Sequence, residues 1–147
     1  MSSSDSSPQL NQLIEVMRGL DTQGYEALLA QLMVRDASLA EAILEAMFSF
    51  EDLIYVTDRG MQILIKEIDR SVLIRALKSA SEEVTHKVLA NLSKRAGQNL
   101  MEELSLLPPL RLSEVKEAQR TIARLARSLE NTGKIVIIRP DDDDPLV

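Results

Sequence analysis

Residues 93–107 read SKRAGQNLMEELSLL, and this stretch decides the fold class. Ser93 is a good N-cap, because its hydroxyl can accept a hydrogen bond from an orphan backbone N–H of a first helical turn. Ala96, Leu100, Leu104 and Leu107 follow at i, i+4, i+8 and i+11, which is one apolar stripe of a helix. Arg95 and Glu102 are seven residues apart, so they fall within roughly 20° of each other around the axis, away from that stripe. Glu103 lies nearer the stripe's edge. One side of this helix is built for burial and the other offers opposite charges. A solvated face and a working surface both fit the charged row.

Working outward, helices continue on both sides. Pro108-Pro109 ends the first one, since neither proline has an N–H and Pro109 disfavours a helical Pro108. Leu110-Arg111-Leu112 crosses to Ser113, the expected cap of a long last helix. Its stripe is Val115, Ala118, Ile122, Leu125 and Leu129, and Gly133 is placed to end it. Residues 134–138 form a short β-branched run, read as a lone extended segment. Upstream, residues 79–82 read SASE, a capping signal for a helix with Val84, Val88 and Leu92 on one side. His86 and Lys87 lie off that side, and His86 reads as a solvated helix residue. Val72, Leu73, Ala76 and Leu77 face inward on a short helix that Asp69 can cap. Met61, Leu64, Ile65 and Ile68 mark the helix before it, beginning near Thr57.

Three further helices open the chain. Leu10, Leu13, Ile14, Met17 and Leu20 mark the first, and Tyr25, Leu28, Leu29, Leu32 and Met33 the second, with Asp21 or Thr22 as its cap. Residues 38–41 read SLAE, a capping box that starts a third helix ending near Met47. Met47-Phe48-Ser49-Phe50 then breaks the period and sets both phenylalanines of the chain two residues apart. Core packing at a helix corner explains this, and so does a hinge whose rings pack in more than one way. Residues 51–56 read as a short helix or turn. The expected organisation is a disordered Ser-rich start at 1–8, a helical lobe at 9–46, a hinge at 47–50, a second lobe at 51–138 and an acidic tail at 139–147.

Composition narrows the chemistry. Of 147 residues 45% are hydrophobic, enough for a core, while only 3% are aromatic, which favours helices over strands. No cysteine is present, so thiolate metal sites and disulfides are excluded. One histidine leaves no His-based metal cluster, and no nucleophile, base and orienter share a motif, so neither a cofactor nor an enzyme is expected. The 17 basic and 23 acidic residues give a net charge of −6. Four of the acids are Asp141 to Asp144, which lack EF-hand spacing and its glycine. Without them 19 acids face 17 bases, so no basic field for nucleic acid exists. No apolar run is long enough to cross a membrane, and the N-terminus has no signal-peptide pattern, so a soluble cytoplasmic chain is expected.

Many short stretches in one order resemble the C-terminal domain of the flagellar motor switch protein FliG. They are Met47-Phe48-Ser49-Phe50 with Glu51-Asp52-Leu53, Asp58-Arg59, and Ala76-Leu77-Lys78 before Ala80. Asn91-Leu92-Ser93-Lys94-Arg95-Ala96, Glu102-Glu103-Leu104, Pro109-Leu110-Arg111-Leu112, Glu117-Ala118-Gln119 and Gly133-Lys134-Ile135-Val136-Ile137 continue the series. The resemblance spans residues 9–138. It implies an all-α fold, an armadillo-like helical group joined by the Met-Phe-x-Phe hinge to a six-helix torque lobe, with a short extended C-terminal segment.

The resemblance also implies a function. In the family, charged residues of the torque lobe face the cytoplasmic loop of the stator subunit MotA. Those positions match Lys78, Arg95, Glu102, Glu103 and Arg111. The acid pair is Glu-Glu where the family often has Asp-Asp, and Pro108 replaces a usual glycine, stiffening the loop before Arg111. The implied role is a rotor-side, non-catalytic module at the flagellar basal body, on the inner face of the cell membrane, that makes torque and takes part in switching. MotA, the switch protein FliM and other FliG-like subunits are its implied partners, with no nucleic acid and no membrane insertion. The family's FliF-docking domain and its FliM-binding Glu-His-Pro-Gln motif are not in this sequence. The alternative is therefore a truncated paralogue serving as a helical adaptor or regulator. A regulatory domain of magnesium transporters has a similar solenoid, but the Met-Phe-x-Phe and torque-helix stretches argue against it.

Overall fold

Asp36 separates two helices by a single residue and serves both. Its backbone N–H donates to the Leu32 carbonyl at 2.7 Å and ends α2 (Thr22–Arg35), while its carboxylate accepts from the Leu39 N–H at 3.2 Å and caps α3 (Ala37–Met47). The cap of α3 is thus Asp36 and not Ser38, because the backbone leaves helical geometry at Asp36. The computed structural model describes residues 8–138. The expectations of a disordered Ser-rich start up to residue 7 and of an acidic tail at 139–147 lie outside the described residues. Pro8, expected at the end of the disordered stretch, is instead the first residue of α1 (Pro8–Gly19), where its missing N–H costs nothing.

The chain divides between Phe48 and Ser49 into two compact units. In the first, α1, α2 and α3 pack on a core of Leu10, Met17 and Ile43, with Ile14, Leu28 and Leu32 half-buried around it. Asp21 caps α2 by accepting from the Gly24 N–H at 2.7 Å. Leu20 and Met33 share the apolar period yet stay 37% and 45% exposed, Leu20 because α1 has already ended at Gly19. Phe48 closes α3, donating its N–H to the Leu44 carbonyl at 3.0 Å.

The second unit opens with a 3₁₀ segment (Phe50–Tyr55), capped where Asp52 accepts from both the Ser49 N–H at 2.9 Å and the Ser49 hydroxyl at 3.3 Å. Then follow α4 (Asp58–Glu67), α5 (Arg70–Leu77), α6 (Glu82–Ala90), α7 (Lys94–Leu106) and α8 (Leu112–Asn131). The chain is all-α, and in this unit the sixth helical element among the described residues is the 3₁₀ segment. α8 runs along α5 and also meets the 3₁₀ segment and α4. Its buried face includes Val115, Ala118, Ile122, Ala126 and Leu129, met by Leu73, Ile74, Ala76 and Leu77 of α5. Leu125, expected on that face, is only half-buried, and Ala123 and Ala126 take the inner positions.

In this unit three helix starts refine or change the sequence expectation. Within residues 79–82 it is Ser81 that caps α6, accepting from the Val84 N–H at 3.2 Å. Hydrogen bonding in α8 starts at the Arg111 carbonyl, which accepts from Glu114 and Val115, so Ser113 lies inside the helix. Asp69 precedes α5 but its carboxylate makes no cap bond; its carbonyl accepts from Val72 and Leu73 instead.

Gly133, at φ +78°, takes the left-handed turn that ends α8. The segment after it is not a lone strand. Ile137 bridges Val56 in antiparallel fashion, the Ile138 N–H donates to the Tyr55 carbonyl at 2.8 Å, and the Thr57 N–H donates to Val136 at 3.1 Å. Ile135 and Ile137 are buried while Val136 and Ile138 are exposed, the two-residue alternation of extended chain. Among the described residues no helix is long and apolar enough to cross a membrane.

Candidate functional site

The Ser93 hydroxyl accepts from the Ala96 N–H at 3.1 Å and starts α7 where the sequence places it. Leu100 is buried and Ala96, Leu104 and Leu107 are half-buried, so the apolar stripe turns inward. Gly97 is buried as well, within reach of Leu89. Hydropathy is silent about a residue with no side chain, so the stripe alone did not reveal it. Leu107 takes an extended backbone ahead of Pro108, and α7 stops.

This geometry puts Arg95 and Glu102 on the exposed side. Neither makes an ion pair among the described residues. Glu103 is exposed too but points elsewhere: its Oε1 accepts from Arg70 Nε at 2.7 Å and pairs with Arg70 Nη2. Lys78, the C-cap of α5, donates from Nζ to the Leu107 carbonyl at 3.4 Å. Arg111 precedes α8 and is exposed, with no cap bond from its side chain. Two of the five candidate residues therefore bind within the unit, and α5 supplies the partner in one case and the donor in the other. Arg70 is the residue that sequence reasoning missed. It lies 33 positions from Glu103, and no local spacing signals a contact of that range.

Two further carboxylates of this unit are paired elsewhere, one between helices and one within a helix. Asp58 accepts from Asn91 Nδ2 and from Lys87 Nζ, each at 3.3 Å, tying α4 to α6. Those bonds, Asn91 first and Lys87 second, and then the positive charge of Lys87, hold the Asp58 carboxyl below the ordinary aspartate range. Glu117 is lowered in the same direction, chiefly by its hydrogen bond from Arg120 one turn along α8. His86 is exposed on α6. Among the described residues no three His, Cys, Asp or Glu side chains are grouped to hold a metal ion.

Comparison with known proteins gives one consistent answer. A sequence model described as the FliG C-terminal domain matches residues 30–137. The flagellar motor switch protein FliG of Bacillus subtilis is 38% identical over 135 residues, covering 92% of this chain and 40% of the relative. FliG of Thermotoga maritima is 40% identical over 125 residues, covering 85% of this chain and 37% of its own length. The solved structure of full-length FliG from Aquifex aeolicus superposes with a TM-score of 0.77 at 32% identity, covering 87% of this chain and 40% of that one. The chain thus spans about two fifths of the length of these relatives.

Proposed function

This chain belongs to the FliG C-terminal domain family, and from that premise we propose that it is the torque and switching module of a flagellar rotor. It works without catalysis, by contact with the cytoplasmic loop of the stator protein MotA. Lys78, Arg95, Glu102, Glu103 and Arg111 form the charged face that meets that loop. Work is done at the basal body on the inner face of the cell membrane, among FliM and further FliG-like subunits.

The observation that carries this reading is the outward row of α7. Arg95 and Glu102 stand exposed with no ion pair among the described residues, over an inner stripe that fixes the helix in place. Exposed ion pairs contribute only about 0–1 kcal/mol each. A contact that must form and break as a rotor steps suits several such weak charges better than a buried apolar lock. Switching uses Met47, Phe48, Ser49 and Phe50 as a hinge. The backbone is extended at Phe48 and Ser49, between the end of α3 and the start of the 3₁₀ segment, and both rings are buried. Rotation there turns the charged row around.

The test is a charge swap in a complete rotor protein carrying this domain. Arg95→Glu with Glu102→Arg reduces motility while folding stays intact, and reversing the charges of the stator loop restores part of it, because the contact depends on sign. Binding in vitro weakens as ionic strength rises, since exposed charges are screened beyond about 8–10 Å. Full motility in the swapped protein would reduce the row to a solvated face.

A further inference from the structure

The corner between α6 and α7 is short, running from Asn91 to Ser93. Its first backbone bonds run back to α6: the Asn91 N–H donates to the Val88 carbonyl at 3.1 Å and the Leu92 N–H to the Leu89 carbonyl at 3.2 Å. The Asn91 side chain reaches further. Its Nδ2 donates to Asp58 Oδ1 at 3.3 Å and to the Lys87 carbonyl at 3.0 Å, and its Oδ1 accepts from Gln62 Nε2 at 3.3 Å. Both donor hydrogens and the oxygen of the amide are thus engaged. Asp58 and Gln62 stand one turn apart on α4. Lys87, one turn before Asn91, also donates to Asp58 Oδ1, at 3.3 Å. These side chains close into a clasp with Asn91, half-buried, at its centre. Its base on α4 is firm, because Gly60, Met61 and Leu64 of that helix are buried.

Resting on the rotor reading above, we infer that Asn91 is a positioning residue of the charged row: it fastens the start of α7 to α4 and so sets where Arg95 meets an acidic group of the partner. Ser93 caps α7 directly after the corner, and Arg95 is the second residue of the helix. The far end of α7 is held separately, where Lys78 Nζ donates to the Leu107 carbonyl at 3.4 Å. A helix pinned at its far end and released at the corner tilts, and the displacement grows toward the corner. Glu102 lies about 10 Å nearer the pinned end than Arg95, so Arg95 moves more. Exposed ion pairs are too weak to pull a misplaced charge back into register. The alignment therefore has to be built into the chain beforehand. Asn91 needs no contact with the partner to act in this way.

The experiment uses the full chain. It has no cysteine, so a pair introduced at exposed positions, Lys66→Cys on α4 and Gln98→Cys on α7, takes spin labels cleanly. Double electron–electron resonance gives one narrow distance peak between the labels. Asn91→Ala broadens that peak. The exchange Asp58→Asn with Asn91→Asp narrows it again, because an amide on α4 and a carboxylate at the corner remake the bond in reverse. Asp58→Ala broadens the peak too, and takes the place of Asn91→Ala if that variant does not fold. A residue that only adds stability would lower the urea midpoint and leave the peak as it was. An unchanged peak in the folded variant, or broadening that the exchange does not reverse, overturns the inference. In a complete rotor protein Asn91→Ala reduces motility and the exchange restores it. The charge swap of Arg95 and Glu102 separates the two readings. If the peaks behave as stated and neither the charge swap nor Asn91→Ala affects motility, the clasp still aligns α7 and the rotor reading fails. If the charge swap reduces motility and Asn91→Ala leaves it whole, the rotor reading stands and the positioning role fails.

Discussion

The amide of Gln119 on α8 donates to the backbone carbonyl of Ala76 on α5 at 3.0 Å, and to the Ser79 hydroxyl at 3.2 Å. Gln119 is 8% exposed, a polar residue inside the largest helix contact of the second unit. The Ala76 carbonyl lies near the end of α5, where carbonyls lose their helical partners. The bond thus satisfies a helix end and sets how α5 and α8 are aligned along each other. Gln119→Ala leaves a gap and two lost bonds, and costs about 2–3 kcal/mol. Gln119→Leu fills the space and costs less. Urea denaturation of the two variants checks the order.

Gly60 gives a second, steric prediction. A Cβ placed there lies 2.9 Å from Val56 Cγ1 and 3.1 Å from Ile135 Cβ, both buried and one on the C-terminal segment. Neither neighbour is a flexible chain end. Gly60→Ala therefore pushes the segment off α4 and costs about 1–3 kcal/mol. At Gly97 the nearest such atom, Leu89 Cδ2, is 3.4 Å away. Gly97→Ala is neutral or stabilises by up to about 1 kcal/mol through helix propensity. Thermal midpoints of the two variants move in opposite directions or, at the least, differ by the clash at Gly60 alone.

The hinge proposal rests on two buried rings. Phe48 is 1% exposed and Phe50 6%, so each Phe→Ala change costs about 3–5 kcal/mol by the usual cavity arithmetic. Beyond stability, the double variant broadens the distance distribution between spin labels in the two units, measured by double electron–electron resonance. An unchanged, single-peaked distribution in a folded double variant would remove the hinge.

Asp58 supplies a pH dependence. Its carboxyl is held below the ordinary aspartate range by Asn91 and Lys87. A group whose folded pKa is depressed contributes stability above its unfolded pKa and loses that contribution as pH falls through it toward the folded value. Stability at neutral pH therefore carries the full Asp58 contribution, which fades below about pH 4. Asp58→Asn flattens that part of a urea-midpoint profile against pH. Raised salt does the same more weakly, because the site is exposed and screened.

Local physics made most of the helices legible. Apolar residues repeat at helical spacing in every α-helix, and the Ser93 cap, the Pro108-Pro109 stop and the Gly133 turn act within a few residues of themselves. The outward placement of Arg95 and Glu102 followed from the same angular arithmetic. Where two local signals competed, sequence did not single out the right one. Ser79 and Ser81, or Ser38 and Asp36, offer equivalent caps, and only the path of the backbone selects one. Gly97 and Gly60 are buried because other chain segments approach them, and a missing side chain leaves no hydropathy to read.

What tertiary structure alone decided is contact between distant positions. The bridge of Val56 with Ile137 joins residues 81 apart, and Gln119 reaches Ala76 across 43. Sequence by itself determined that Glu102 and Glu103 differ in angle on one helix. It did not determine that α5 would lie alongside α7 and bring Arg70 onto Glu103. Periodicity fixes which face of a helix is buried, because that depends on neighbours along the chain. Which charge meets which depends on the packing of two helices and the reach of a long side chain, and no spacing along the chain encodes either.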